Sequence, residues 1–235
     1  MWVFPLLGTV VSLVFALLLA RQFVRRRRPY QALWAVALLL YAAASLALTI
    51  GAVSGWTADA YRVFWLFGAV LTVPYLAAGE AFLLVRREWL RTGSFLVLVF
   101  VTAYAINRLR VAVPDESALE VDLPRGVDVF AADGGVLVLA RLCSYVGFGV
   151  LLAGTLWSAW SMRGDPLLRP RFVGTLAIAI GATIVAAGSA FAATGNLAGF
   201  SLMNMLGVGV MFWGFLRTSD PMRRGVRTTP GPPRT

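Results

Sequence analysis

Residues 172–216 read FVGTLAIAIGATIVAAGSAFAATGNLAGFSLMNMLGVGVMFWGFL and contain no charged side chain. A helix needs about 20 mostly apolar residues to cross the hydrocarbon core of a bilayer, so this stretch is long enough for two spans and too long for one. Near its middle, Thr194-Gly195-Asn196 has the residues of a turn. We therefore predict two membrane helices, at residues 172–193 and 198–217.

The rest of the chain has a similar composition. Of its 235 residues, 59% are hydrophobic and only 14% are charged, whereas about a quarter are charged in a soluble domain. Charged residues divide the remaining sequence into five further segments of spanning length, at residues 2–23, 31–53, 60–85, 92–111 and 135–161. The predicted fold is an all-α polytopic membrane domain of seven transmembrane helices over residues 1–217, followed by a disordered basic tail, 218–235.

Charged residues also indicate how helices 1–7 cross the membrane. Most of the 21 cations, all of them Arg, follow one set of helix ends, as at residues 25–28, and most acids fall near the opposite ends. The positive-inside rule then places the N-terminus outside and the C-terminus in the cytoplasm. We expect a multi-pass protein of the cell inner (plasma) membrane, whose partner is the lipid bilayer. The net charge of +10 reflects this topology, and no nucleic acid partner is expected.

The longest predicted loop, residues 114–134, joins helices 4 and 5 on the outer side. Its segment 120–130 alternates polar and apolar residues around Pro124-Arg125-Gly126, which is the pattern of a β-hairpin. We therefore predict a short external β-hairpin that either covers the outer mouth of the bundle or serves only as an acidic connector. Its apolar residues should rest on the helix ends: Val121, Leu123, Val127 and Val129.

Residue types that carry much enzyme chemistry are absent or rare. The chain has no His, which argues against haem and His-built metal sites, and no Lys, which excludes a Schiff base with retinal or pyridoxal phosphate. Its one cysteine, Cys143, lies in an apolar stretch and is interpreted as a packed helix residue. No nucleophile–base pair or metal site is recognisable, so an enzyme is the least favoured class, and no cofactor is expected.

Polar residues gather at similar depth in the outer halves of several predicted helices. We interpret them as an outward-opening pocket, in which guanidinium groups bind a carboxylate or phosphate. The ligand-binding candidates are Arg62, Asn107, Arg141, Tyr145 and Asn204. The alternative is structural, with these arginines pointing out to the headgroups or pairing with Asp59, Asp133 and the acidic loop.

Two further features lie inside the predicted spans. Glu80 is the one acid within them, and because such groups are costly in a membrane, it is a candidate for proton coupling. The alternative is a neutral, hydrogen-bonded carboxyl or one that snorkels to the inner surface. Helix 6 carries Gly174, Gly181 and Gly188 at intervals of seven, a small-residue stripe that favours close helix packing. The stripe packs either within the bundle or against a homo-oligomer or membrane partner.

Helices 1–3 and helices 5–7 can be aligned in parallel, with helix 4 as a linker. Residues 66–70 of helix 3 then fall near residues 205–209 of helix 7. This 3+1+3 arrangement with the N-terminus outside resembles the SWEET-type sugar carriers, although the Pro-Gln pair of that family is missing. The resemblance implies a carrier built from parallel repeats.

Two other resemblances rest on helices 2 and 3. Helix 3 is similar over some twenty residues to the third helix of microbial rhodopsins, through Arg62, Trp65-Leu66-Phe67, Pro74 and Glu80 in that order. Helix 7 has no Lys, so retinal attachment is not implied. The arginine turn and the aromatic residues of helices 2 and 3 also resemble the seven-helix sensor region of some bacterial histidine kinases, which implies a sensing role.

The first expectation for function is therefore a membrane binder and carrier of a small anionic or amphipathic molecule. The alternative is a seven-helix receptor or accessory subunit that regulates a partner protein and transports nothing.

Overall fold

The computed structural model of the chain describes residues 2–85 and 87–219. Seven of the helices in these residues are long and apolar enough to cross a membrane, which confirms the predicted number. They are α1 (Val3–Arg26), α2 (Pro29–Ser54), α3 (Ala58–Leu84), α4 (Glu88–Val111), α5 (Gly134–Met162), α6 (Arg169–Ala193) and α7 (Leu197–Ser219). The chain is therefore a multi-pass membrane protein. Helix α7 runs two residues beyond its predicted end, and the predicted tail from residue 220 onward lies outside the described residues.

Local sequence sets the ends of these helices. Helix α1 ends where Arg27 adopts a left-handed φ of 51°, and Pro29, whose fixed φ suits a first helical turn, begins α2. The side chains of Thr57 and Asp133 accept hydrogen bonds from backbone N–H groups in the first turns of α3 and α5. The predicted turn between α6 and α7 is present, with Gly195 at a φ of 71°.

Helix α3 is not regular along its whole length. Residues Trp65–Leu71 form a π-helical segment, and the α-helix resumes at Thr72. Pro74 follows directly; it has no N–H to donate and would leave a carbonyl of the preceding turn without its partner. The hydroxyl of Thr72 donates to the carbonyl oxygen of Phe67 at 2.6 Å, so this carbonyl of the π-helical segment has a hydrogen-bond donor.

Six helices form a ring in the order α1, α2, α3, α5, α6, α7, and α7 packs back against α1. Helix α4 lies outside the ring, against α3 and α5. In the most apolar 18-residue stretch of α4, only 11% of the residues are buried, a smaller share than in any other of the seven helices. We call the end of the ring that carries residues 112–133 the cap end, these residues the cap loop, and the opposite end, which carries residues 25–28, the arginine end.

The cap loop is not the predicted β-hairpin. It contains a 3₁₀ turn, Glu116–Leu119, and a one-turn helix, Gly126–Val129, and no strand occurs anywhere in the described residues. Leu123 and Val129 are buried as expected, but Val121 and Val127 are 55% and 47% exposed, so burial does not follow the alternating pattern. A lone two-stranded ribbon is marginally stable in water. Successive turns bury more of the apolar side chains of this loop, including Leu119 and Phe130.

Apolar clusters close the bundle towards both ends. Towards the arginine end, the ring of Phe15 packs on those of Phe212 and Phe215, with centroids 5.3 and 4.8 Å away. At the cap end, Leu123 of the cap loop packs with Leu48 and Leu197. The space between these clusters contains the cavity described below.

Helices α6 and α7 make the most extensive contact in the fold, through glycines on both helices. A methyl group at Gly181 would lie 2.5 Å from the carbonyl oxygen of Gly207, and one at Gly174 would lie 2.5 Å from that of Gly214. At Gly188 the nearest atom is Cβ of Met203, at 3.1 Å. The glycine stripe of α6 is therefore occupied by α7 of the same chain, and its glycines are buried.

Candidate functional site

The ring encloses a cavity of about 630 Å³. Its lining comes from all six ring helices and from residues 123–127 of the cap loop, while α4 contributes none. This volume lies in the usual range for pockets that hold small molecules. Leu38, Leu151 and Met211, which belong to the apolar cluster near the arginine end, form the deepest part of the wall.

Most of the cavity wall is apolar, and its polar groups are concentrated towards the cap end. They are Tyr41, Ser45, Trp65, Thr72, Arg125, Arg141, Ser144, Tyr145, Ser189, Ser201 and Asn204. A molecule that fills this space must therefore be largely apolar, with its polar part near the cap end.

Several of these polar groups already bond to the protein. The Tyr41 hydroxyl donates to Oδ1 of Asn204 at 3.3 Å, which links α2 to α7 across the cavity wall. Ser45 donates to the carbonyl oxygen of Pro5 at 2.9 Å, and Ser144 to that of Ala69 at 3.0 Å. These bonds tie neighbouring helices together and fix the shape of the cavity.

Two other polar groups in the wall have no such partner. Among the described residues, neither the indole nitrogen Nε1 of Trp65 nor the hydroxyl of Ser201 makes a hydrogen bond, and both atoms are buried. Leaving a buried polar group unpaired costs about 1–3 kcal/mol. Since an indole N–H can only donate, Trp65 requires an acceptor such as an oxygen atom of a ligand.

Arg141 is the charged group of the cavity wall that lies within a membrane helix. No acid within the described residues lies close enough to form a salt bridge with it. Trp65, Arg141 and Asn204 each lie seven residues from the cap end of their helix, which is about 10 Å at 1.5 Å per residue. A donor layer, formed by these three residues and Ser201 one turn nearer the cap end, therefore crosses the cavity at nearly one depth.

The structure brings together three of the five predicted ligand-binding residues. Arg141, Tyr145 and Asn204 line the cavity, whereas Arg62 and Asn107 do not. Asn107 is exposed on α4, outside the ring. Arg62 contacts the carboxylate of Asp59 at 2.9 Å and donates to the carbonyl oxygen of Ala112 at 3.0 Å, which ties α3 to the end of α4.

Two more arginines at the cap end form ion pairs. Arg108 of α4 pairs with Asp133, the residue that caps α5, and Arg125 pairs with Asp128 at 2.7 Å within the cap loop. Arg62 and Arg108 thus form the ion pairs that the structural interpretation predicts, whereas Arg141 lines the cavity and forms no ion pair within the described residues.

Glu80 lies outside the cavity, towards the arginine end. It is 1% exposed, and neither carboxyl oxygen has a hydrogen-bond partner among the described residues. Gly154 of α5 makes room for it, because a methyl group there would lie 2.5 Å from Cγ of Glu80. Leu76, one helical turn earlier, lines the cavity, so Glu80 lies about one turn beyond the cavity wall.

Among the described residues outside the spans, one carboxyl has a shifted pKa, and it lies in the cap loop. The hydroxyl and the backbone N–H of Ser117 both donate to the carboxylate of Asp115, and these bonds lower the pKa of Asp115. Asp115 belongs to the fold of the cap loop and does not line the cavity.

Sequence reasoning missed Tyr41 and the unpaired N–H of Trp65. Tyr41 lies four residues before Ser45, so the two share one face of α2, and this spacing was a usable signal. No sequence signal shows that the indole of Trp65 lacks an acceptor. Its environment depends on the cap loop, where a methyl group at Gly126 would overlap the Trp65 ring.

No protein family model matches the sequence, and no curated protein or solved structure matches the chain. The class therefore rests on the fold and the cavity: a multi-pass membrane protein in which six helices surround a largely apolar chamber.

Proposed function

We propose that the protein binds a small amphipathic anion in the central cavity and carries it across the membrane. The observation that supports this most directly is the donor layer, which lies at the polar end of an otherwise apolar chamber. A carboxylate or phosphate would supply acceptors for Trp65 and Ser201 and a counter-charge for Arg141. The apolar part of the molecule would fill the remainder of the cavity.

Ligand binding is tested by thermal unfolding of the protein in phosphatidylcholine nanodiscs. The probes are palmitate, hexadecyl phosphate, acetate, inorganic phosphate and glucose. A ligand present at 100 times its dissociation constant adds about 2.7 kcal/mol to stability, so the melting temperature should rise with the two long-chain anions. If none of the four anions raises it, the proposed function is refuted, whatever the result with glucose.

A matched pair of asparagine variants assigns the binding to the cavity. Asn204→Ala removes an amide from the cavity wall, and Asn107→Ala removes one from the exposed face of α4. The shift with palmitate should shrink in Asn204→Ala and remain in Asn107→Ala. Equal shifts in the two variants would place the ligand elsewhere.

The proposal includes an orientation, with the cap end outside the cell and the arginine end in the cytoplasm of a bacterial inner membrane. The positive-inside rule supports it, because described arginines such as Arg87, Arg163 and Arg171 lie at the arginine end. Val127→Cys and Leu167→Cys place thiols at exposed positions on opposite ends. A membrane-impermeant maleimide added to whole cells should label the first; labelling of only the second would reverse the orientation.

Glu80 is proposed as the proton-coupling group of the carrier. Its burial about one turn beyond the apolar end of the cavity supports this role, because an acid buried inside a membrane helix bundle is costly and is commonly part of a proton pathway. Glu80→Gln should abolish uptake of palmitate driven by a pH gradient into proteoliposomes, while palmitate still raises the melting temperature. Unchanged uptake would remove the coupling role.

The receptor alternative is favoured by one observation. Within the described residues, the cavity lining ends at Leu38, Leu151 and Met211, which belong to the apolar cluster around Phe15, and this cluster separates the chamber from the arginine end. A receptor would bind palmitate and show no uptake into proteoliposomes, whereas a carrier would do both. The same assays therefore separate the two functions.

A further inference from the structure

The exposed residues of the cavity wall lie on only two helices and the cap loop. On α5 they are Arg141 and Tyr145, and on α6 they are Ser189 and Ala193. Every wall residue contributed by α1, α2, α3 and α7 is buried or half-buried. The cavity wall therefore reaches the protein surface at the cap loop and, among the helices, between α5 and α6; we call the gap bounded by these four residues the side opening.

The packing of α5 and α6 explains why the side opening lies near the cap end. Towards the arginine end, Leu151 of α5 belongs to the same buried cluster as Ile178 and Ala182 of α6, so the two helices are in close contact there. Nearer the cap end, α6 presents the small side chains of Ala186 and Ser189 to the cavity. Because the side chains of Ala186 and Ser189 are too short to reach α5, a gap remains between the two helices.

The side opening faces the bilayer at headgroup depth. Helix α5 has 29 residues and is about 43 Å long, close to the thickness of a bilayer with its headgroups. Arg141, about 10 Å from the cap end of α5, then lies near the boundary between headgroups and hydrocarbon. Tyr145 is 75% exposed and lies one turn deeper, on the hydrocarbon side of this boundary.

We infer that the cavity is filled sideways from the bilayer, by a single-chain lipid anion whose headgroup binds Arg141 and whose chain enters through the side opening. This inference rests on the proposed function and names its ligand class. The charge of Arg141 complements a carboxylate or phosphate held at that depth. The apolar wall between Ser144 and Leu151 accepts the chain, and no ligand of this kind needs to pass the cap loop.

The route is tested by the rate at which bromine-labelled palmitate, delivered in phosphatidylcholine vesicles, quenches tryptophan fluorescence of the reconstituted protein. Ser189→Phe places a ring in the side opening. Its matched control, Ala190→Phe, changes the next exposed residue, which does not line the cavity. Association should slow at least 10-fold in Ser189→Phe and stay unchanged in Ala190→Phe.

A third variant tests the competing route. Val127→Phe enlarges an exposed residue of the cap loop that lines the cavity. Slower association in Val127→Phe alone would show access from the aqueous phase at the cap end and would overturn the inference. Equal rates in all three variants and the wild type would overturn it as well.

The headgroup contact is tested with a neutral probe of the same length. Arg141→Gln should weaken binding of bromine-labelled palmitate about 10-fold and leave that of bromine-labelled hexadecanol unchanged. Arg141→Lys should retain most of the preference for palmitate, and Arg110→Gln, on the exposed face of α4, should retain all of it. An unchanged preference in Arg141→Gln would remove Arg141 from the headgroup contact.

These outcomes separate this inference from the proposed function. If only acetate or inorganic phosphate stabilises the protein, the cavity binds an anion, but the lipid class is wrong. If no anion stabilises it, the proposed function itself fails.

Discussion

Helix α6 packs against its two neighbours in the ring in opposite ways. Against α7 it places Gly174 and Gly181 directly on the carbonyl groups of Gly214 and Gly207, and the two backbones touch. Against α5 it also presents small residues, but the wall residues of α5 facing the cavity include Arg141 and Tyr145, and the contact opens. In this fold the two backbones touch where both helices supply glycine, and the helix pair opens where α5 supplies Arg141 and Tyr145.

The largest expected effect comes from filling the closed contact. Gly181→Leu would force a side chain into the carbonyl oxygen of Gly207 and the chain of Met211, so the free energy of unfolding should fall by about 3 kcal/mol. Cys143, the single cysteine, is buried, so a thiol-reactive dye reports unfolding on heating. Gly149→Leu is the control because a methyl group there meets nothing within 4 Å. Equal melting temperatures in the two variants would show that α6 and α7 are not in backbone contact.

A smaller loss is expected where α5 is anchored. Asp133 caps α5 and pairs with Arg108, so Asp133→Ala should cost about 1–2 kcal/mol of unfolding free energy in the same dye assay. The control is Asp122→Ala, since the side chain of Asp122 is exposed and makes no hydrogen bond within the described residues. If Asp122→Ala lowered the free energy of unfolding as much as Asp133→Ala, the cause would be the removal of a negative charge from the cap loop and not the anchoring of α5.

Filling the open contact should hardly change stability. Ala186 lines the cavity, so the larger side chain of Ala186→Leu projects into empty space and should alter the free energy of unfolding by less than about 1 kcal/mol. The same variant should lose the rise in melting temperature with palmitate, because the cavity is smaller. A loss comparable to that of Gly181→Leu would mean that the contact of α6 with α5 is closed.

The smallest effect concerns the cap loop above both contacts. The pKa of Asp115 is lower in the folded loop than in the unfolded chain, so its stabilising contribution is complete above the ordinary pKa and is lost as the pH falls through the lowered pKa. Ser117→Ala should raise the pKa of Asp115 towards its ordinary value, as followed by NMR titration of its carboxyl carbon. Ser117→Thr keeps the hydroxyl and should leave the titration midpoint nearly unchanged.

The seven helices were predictable because charged residues mark their ends. The sequence placed the turn between α6 and α7 at residues 194–196, and the structure has it there. The cap loop was not predictable, since alternation of polar and apolar residues over 120–130 is also produced by a chain of turns. Only the shape of the helix ends decides that Leu123 is buried and Val121 is exposed.

The sequence predicted the depth of the site residues in the membrane, but not which of these residues face the cavity. Arg141, Tyr145 and Asn204 were found because polar residues at matching depth occur on helices 5 and 7. Asn107 lies at a depth similar to that of these three residues, but it belongs to α4. No periodicity in the sequence shows that α4 lies outside the ring. The pairing of Arg62 with Asp59 follows from their spacing of three and agrees with the structural alternative.

The contact between α1 and α7 has a consequence for biogenesis. A translocon inserts helices in chain order, and α7 is the last of the ring helices to reach the membrane. Until then α1 lacks one of its two neighbours and the chamber lacks a wall. Helix α3 likewise meets its ring neighbour α5 only after α4 has been made. The ring around the chamber can therefore be completed only after α7, the last of its helices, has been inserted.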